Sequence, residues 1–252
     1  MQYIYSRNAL VITPTIVKQT LRTAAESISK QTYPNVQHLI VTDGIDDVGA
    51  ETLNIMRAKG HLPRDTKYIH LPWNVGADGG RWYGHRVYAS IPKLIPTDYD
   101  YVLFLDEDNW YEPDHVQYCI DALESNPTWG FSHSLRRVCD KNGKYLVNDD
   151  CESLGKWPIY GKEGNFLIDT SSYCFRRDVI RQLCHIWDFG WGGDRNFLHQ
   201  VRNHVQFGCS GKYTLNYRVD GGPGSVNKEF FENGNKIMHQ IYNGEYPWVK
   251  TS

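Results

Sequence analysis

The sequence predicts an α/β protein: an open, mostly parallel, twisted sheet flanked by helices, followed by a smaller and less regular region. Three observations carry that expectation. Over residues 1–125, short apolar runs alternate with stretches at helical spacing. Gly, Pro or Asx residues punctuate the ends of these segments. The last run, Tyr101–Leu105, is apolar on both faces, as a central strand covered by helices on both sides must be.

Taken in order, Ala9–Ile12 is the first strand. Val17, Leu21, Ala24, Ala25 and Ile28 then fall on one face of a helix that stops at Gln31-Thr-Tyr-Pro34, because proline disfavours helix in the residue before it. Val36–Val41 is the second strand, broken by Asp43-Gly44, and a helix over Ala50–Ala58 ends at Gly60. Lys67–Leu71 is the third strand, followed by a helix over Gly80–Ser90 before Pro92. After the fourth strand, Pro113 suits the first turn of a helix running to Glu124. In such sheets ligands sit beyond the carboxyl ends of the strands. Thr13, Thr15, Asp43, Asn74 and Asp106–Asp108 are therefore the first candidates for chemistry.

Residues 126–252 are less regular. Asp140–Gly164 reads as a long polar loop with one hairpin, for which Asn142-Gly143 is a good turn pair. It is either a binding loop or a surface excursion. Strands near Phe166–Ile168 and Ser172–Phe175, helices near Asp178–Ile186 and Asp194–Val205, a strand over Tyr213–Val219 and a last helix over Lys228–Tyr242 complete the prediction.

Composition narrows the function. The 252 residues carry a formal charge of −2, so no basic excess points to nucleic acid. The 17 tyrosines and 8 tryptophans suit a packed core and equally suit stacking on sugar rings. None of the six cysteines forms a C-x-x-C pair, so the expectation is free thiols in a reducing compartment rather than a zinc site. No apolar stretch reaches the length of a signal peptide core or a membrane span. The expected location is cytoplasmic, with peripheral attachment wherever a membrane-borne acceptor is made.

The sharpest local feature is Leu103-Phe-Leu-Asp-Glu-Asp-Asn109. Three acids directly follow a buried strand, where they repel one another and lose solvation. A divalent cation relieves both, since Mg²⁺ or Mn²⁺ bridges one or two carboxylates to substrate phosphates. Asp106 and Asp108 can share a side while Glu107 points elsewhere. A solvated acidic turn is the competing reading.

Several motifs occur in a fixed order. Val11-Ile-Thr-Pro-Thr15, Gln31-Thr-Tyr-Pro-Asn35, Leu39-Ile-Val-Thr-Asp-Gly44, Asn74-x-Gly76, Gly80-Arg81-x-x-Gly84, Phe104-Leu-Asp-Glu-Asp108 with Trp110-Tyr111-x-Pro113-Asp114, and Tyr217-Arg218 are all present. In this order the chain resembles the family 2 glycosyltransferases of the GT-A fold, over most of residues 9–220. The resemblance implies an inverting, D-x-D-containing hexosyltransferase acting on a nucleotide-sugar, most often a UDP-sugar, with Mn²⁺ or Mg²⁺. It makes residues 1–125 the nucleotide-sugar-binding half and 126–252 the acceptor-binding half of one domain. It assigns Thr13 and Asp43 to the base, Arg81 to the base or phosphates, Asp106 to the ribose or metal and Asp108 to the metal. Thr15 and Glu107 join the same nucleotide-sugar set.

Departures from the pattern matter. The paired acids after the second strand are Thr42-Asp43 here, the helix-start A-R-N is Gly80-Arg81-Trp82, and a frequent late histidine is Asp220, which either ligates or caps a glycine-rich turn. An inverting transferase needs a base for the acceptor hydroxyl. Among family members an Asp of an E-D pair at a helix start supplies it, and the nearest match is Trp191-Gly-Gly-Asp194-Arg195, making Asp194 the candidate. As the first residue of a helix, Asp194 is also a natural cap. Trp191, Gly192, Gly193, Trp157 and Tyr160 are the candidate contacts to a glycan or glycoconjugate acceptor, with Trp157 and Tyr160 equally readable as core. A sugar nucleotidyltransferase and an inactive, transferase-like sugar-binding module are the alternatives. The first lacks its Gly-rich phosphate loop after strand one, and the second is disfavoured by the intact acids.

Overall fold

The computed structural model describes residues 7–77, 82–160, 165–219 and 226–249 of the chain. The four apolar runs become β1 (Ala9–Thr15), β2 (Val36–Asp43), β3 (Lys67–Leu71) and β4 (Tyr101–Phe104). Between them lie α1 (Leu21–Ser29), α2 (Asp47–Ala58) and a short α3 (His85–Ser90). Leu21, Ala24, Ala25 and Ile28 are the buried stripe of α1, as their spacing predicts. Asp46 caps α2 by accepting from Gly49 N at 2.8 Å.

The four strands pair in parallel in the order β3-β2-β1-β4. The second half continues the same sheet through β8 (Tyr173–Arg176), β6 (Trp129–Cys139), β9 (Gln206–Arg218) and β5 (Trp110–Tyr111), with β7 (Tyr145–Asn148) beside β6. Here β8 is antiparallel to both of its neighbours, β4 and β6, whereas β6 and β9 run parallel. Both halves therefore share one sheet. The remaining helices are α4 (His115–Ser125), which closes the first half, and α5 (Arg177–Leu183), α6 (Gly193–Val201) and α7 (Lys228–Tyr242).

One core packs Ile12, Phe104, Phe175 and Trp187 on one face of the sheet, and another packs Val11, Leu103, Val116 and Ile120 on the opposite face. Two of the ordered motifs clip to each other rather than to any cleft. The Gln31 amide donates to Glu112 O at 2.9 Å and accepts from Val116 N at 3.0 Å, while Thr32 donates to Asp114 at 2.8 Å. They lock the end of α1 to the start of α4 and so fix the β4–α4 connection that carries Asp106–Asp108.

The second half departs from its prediction where polar residues are buried. β6 lies between β8 and β9, yet it carries Ser132, His133, Ser134 and Arg136, all buried. Long-range partners satisfy several of these groups, so no apolar run marks the strand; Ser132, for example, donates to Cys119 O at 2.6 Å. β9 begins at Gln206, seven residues before the expected start at Tyr213. The expected strand at Phe166–Ile168 has no ladder partner, and the helix expected over Asp178–Ile186 breaks after Leu183 into a 3₁₀ turn, Cys184–Trp187. The Asn142-Gly143 hairpin is present between β6 and β7, with Gly143 at φ +84°.

Candidate active site

A cleft of about 630 Å³ opens over the carboxyl ends of β1, β2 and β4. One bank carries Pro14, Thr15, Asp43, Asn74, Gly76, Tyr83 and His85; the floor carries Asp106–Asp108; the opposite bank carries Trp191, Gly192, Asp194 and Arg195. Eight candidate site residues from four separate stretches of the sequence, Thr15, Asp43, Asp106, Glu107, Asp108, Trp191, Gly192 and Asp194, thus meet in one cavity.

Asp43 accepts from Val75 N at 2.7 Å and Gly76 N at 3.1 Å, so it holds the 73–76 segment against the end of β2. Gly44 permits this approach: it has φ +61°, and a Cβ there would lie 1.9 Å from Asn74 N. Thr13 does not reach the cleft wall. It lies two residues inside β1, fully buried, and its side chain meets His38 Nε2 at 2.9 Å. Thr15 is on the wall and donates to Glu107 at 2.5 Å.

The three acids after β4 have different surroundings. Glu107, only 7% exposed, also accepts from Lys18 N at 2.9 Å and so braces the β1–α1 turn. Asp106 accepts from Tyr88 Oη at 2.9 Å, and its backbone N–H donates to Ser171 Oγ at 3.0 Å. Burial, then the nearby Asp108 and Asp169, raise its carboxyl to about 7. The Asp108 carboxylate lines the cleft and accepts no hydrogen bond among the described residues; only its backbone carbonyl is engaged, by Arg218 Nε at 3.0 Å.

A second acidic group lies deeper on the opposite bank and escaped sequence reasoning. Arg136 on β6 pairs with Asp149 at 2.6 Å, with Asp169 at 2.7 Å and with Glu152. Its guanidinium also lies 4.1 Å from the centre of the Tyr217 ring. Glu152 reaches on to Arg195 at 3.1 Å, next to Asp194. Burial pushes the Glu152 and Asp169 carboxyls up despite Arg136. The acid-rich Asp149-Asp150-x-Glu152 stretch was the visible signal; what it lacked was its arginine, 13 residues upstream of Asp149 in a strand that the pattern did not reveal.

Trp157 and Tyr160 lie away from the cleft. Trp157 packs edge-on against Trp248 at 6.0 Å and Tyr160 against Phe230 at 5.9 Å, in a cluster beneath α7. Gly193 is buried under the His85 ring, whereas Trp191 is 75% exposed on the cleft rim. Arg81 and Asp220 lie outside the described residues.

Among the described residues, no group of three or more His, Cys, Asp or Glu side chains is arranged to hold a metal unaided. A two-carboxylate site completed by substrate phosphates is the arrangement that the pair Asp106 and Asp108 fits. One of these carboxylates is destabilised as an anion and the other accepts no hydrogen bond among the described residues.

Solved structures with this architecture define the class. The chain superimposes on S. aureus TarS with a TM-score of 0.59 at 16% identity, over 94% of this chain and 40% of TarS. Residues 1–349 of TarS in complex with UDP-GlcNAc superimpose with a TM-score of 0.58 at 16% identity, over 94% of this chain and 67% of that one. The same fragment with UDP gives 0.57 at 16% identity, over 94% and 66%. The fold is therefore that of the GT-A type of glycosyltransferase. Within that class, residues 10–182 match Glycosyl transferase family 2, and the chain belongs to that family. An uncharacterized glycosyltransferase of Rickettsia felis is 28% identical over 123 residues, 49% of this chain and 18% of the relative's length. The chain thus spans under a fifth of that relative. Among the described residues no helix is long and apolar enough to cross a membrane.

Proposed function

We propose that this protein transfers a hexosyl group from a nucleoside-diphosphate sugar, UDP first among the nucleotides, to a hydroxyl of a glycan or glycoconjugate, with inversion and with Mn²⁺ or Mg²⁺. The observation that carries this reading is the pairing, in one cleft, of a partnerless Asp108 beside a charge-disfavoured Asp106 with Asp194 on the facing bank. The TarS fragment's complexes with UDP and UDP-GlcNAc make UDP-sugars the first donors to test.

Asp106 and Asp108 would hold the cation, which when bound screens the diphosphate and stabilises charge on the leaving phosphate. Asp43 and Thr15, on the first bank, border the space for the nucleoside. Asp194 takes the proton of the acceptor hydroxyl as its oxygen bonds to the anomeric carbon. The bond from that carbon to the diphosphate oxygen breaks, and the nucleoside diphosphate leaves with the electron pair. Trp191, on the rim beside Asp194, offers an exposed face to an acceptor ring.

Release of nucleoside diphosphate from UDP-, dTDP- and GDP-sugars, with Mn²⁺ or with EDTA and a glycan panel, tests the reading. Mn²⁺-dependent release from a UDP-sugar is expected, and Asp194→Asn should lower it ~10²–10⁴-fold while leaving UDP binding in place. Wild-type turnover by Asp194→Asn would remove the base assignment.

A further inference from the structure

The bank that carries Asp194 is tied after Asp194 by the Arg195–Glu152 ion pair at 3.1 Å, and before it by a glycine-rich loop with short backbone bonds of its own, such as Gly193 N to Gly190 O at 3.0 Å. Its loop runs Asp188-Phe-Gly-Trp-Gly-Gly193, with Phe189 44% and Trp191 75% exposed and Gly192 at φ +81°. Three glycines in four residues leave the backbone many alternatives unless outside contacts select one. Those contacts come from the first turn of α3, across the cleft. His85 Nδ1 lies 2.9 Å from Phe189 O. A carbonyl can only accept, so Nδ1 carries the proton. The face of the same ring covers Gly193, where a Cβ would fall 2.5 Å from Nδ1. The ring is backed by Trp187 at 5.5 Å. Next to it, Arg86 approaches Asp188 at 3.5 Å and donates to Val75 O at 3.2 Å, and Val75 is the residue held by Asp43.

His85 thus touches the acceptor-side loop at its start and at the residue directly before Asp194, and its neighbour Arg86 bonds to Val75, which Asp43 holds. We propose that His85 is a positioning residue that fixes Asp194 relative to the donor bank. This rests on Asp194 as the base. Displacement of a reacting group by about 1 Å costs on the order of 10²-fold in rate, so a loose loop shows in kcat before it shows in donor affinity.

His85→Phe keeps the ring over Gly193 and removes the N–H. His85→Asn sets an amide N–H near the place of Nδ1. Gly193→Ala forces the ring and the loop apart by a separate route. With UDP-GlcNAc as the probe donor, His85→Phe and Gly193→Ala are expected to lower kcat ~10–100-fold with UDP affinity within about twofold of wild type. His85→Asn should recover most of the loss. His85→Phe combined with Asp194→Asn should be no slower than Asp194→Asn alone, because the histidine acts through the aspartate. Amide exchange across 188–196, which needs no turnover, should quicken in His85→Phe and stay unchanged across 36–43. Wild-type kcat in His85→Phe, fully multiplicative losses in the double variant, or unaltered exchange across 188–196 would overturn the inference. Wild-type kcat in Asp194→Asn would instead overturn the base assignment beneath it.

Discussion

Two acidic groups line the same cleft, and they are balanced by different means. Around Arg136, three carboxylates share one buried guanidinium that the chain itself supplies. After β4, Asp106 and Asp108 have no comparable cation among the described residues, and Asp106 is pushed up to about 7. A buried acid cluster with its own arginine is architecture, whereas one without a cation waits for a ligand. The contrast separates the part of the cleft that holds the molecule together from the part proposed to grip a substrate.

The largest expected effect breaks the second group. Asp108→Ala should lower Mn²⁺-dependent donor turnover by at least ~100-fold and leave the Tm within a few degrees of wild type, since no hydrogen bond to its carboxylate is lost. A large fall in Tm would make Asp108 structural. Arg136→Met should do the reverse of this, destabilising the fold by about 3–5 kcal/mol in urea titration because three buried carboxylates lose their partner. A loss below about 1 kcal/mol would show that the acids simply protonate.

Acid acts on both halves. His38 and His115 are held down at about 3 and His133 at about 4, in each case first by burial. A depressed folded value leaves stability whole above the unfolded value and removes it as pH falls toward the folded one. Between pH 6.5 and 5.5 each histidine should cost about 1 kcal/mol of stability, read as a falling Tm. A Tm constant over that interval would show that they are not buried as neutral rings. The smallest effect distinguishes the aromatics: Trp191→Ala should raise the acceptor KM by roughly 5-fold, and Trp157→Phe should leave it unchanged. Equal effects would erase the distinction between rim and core.

The same contrast explains what could be read in advance. Strand ends of a parallel βα half come to one edge by topology, so Thr15, Asp43 and Asp106–Asp108 were legible as neighbours once four strands were counted. Thr13 lies two residues inside β1, buried against His38, a depth that the sequence does not mark. Arg136 meets Asp149 across the β6–β7 hairpin and Asp169 beside the pairing of β6 with β8, and the buried polar residues of β6 concealed the strand that carries the arginine. Trp157 and Tyr160 were open to two readings, acceptor contact and core, and their packing against Trp248 and Phe230 fits the second.

The most direct test is calorimetric titration of UDP into the wild-type protein and into Asp108→Ala, each with Mn²⁺ and with EDTA. The expected result is UDP binding that Mn²⁺ tightens at least ~10-fold in the wild type and leaves unaltered in Asp108→Ala. Wild-type binding indifferent to Mn²⁺, or a full Mn²⁺ effect surviving in Asp108→Ala, would contradict the assignment of the cation to the acids after β4.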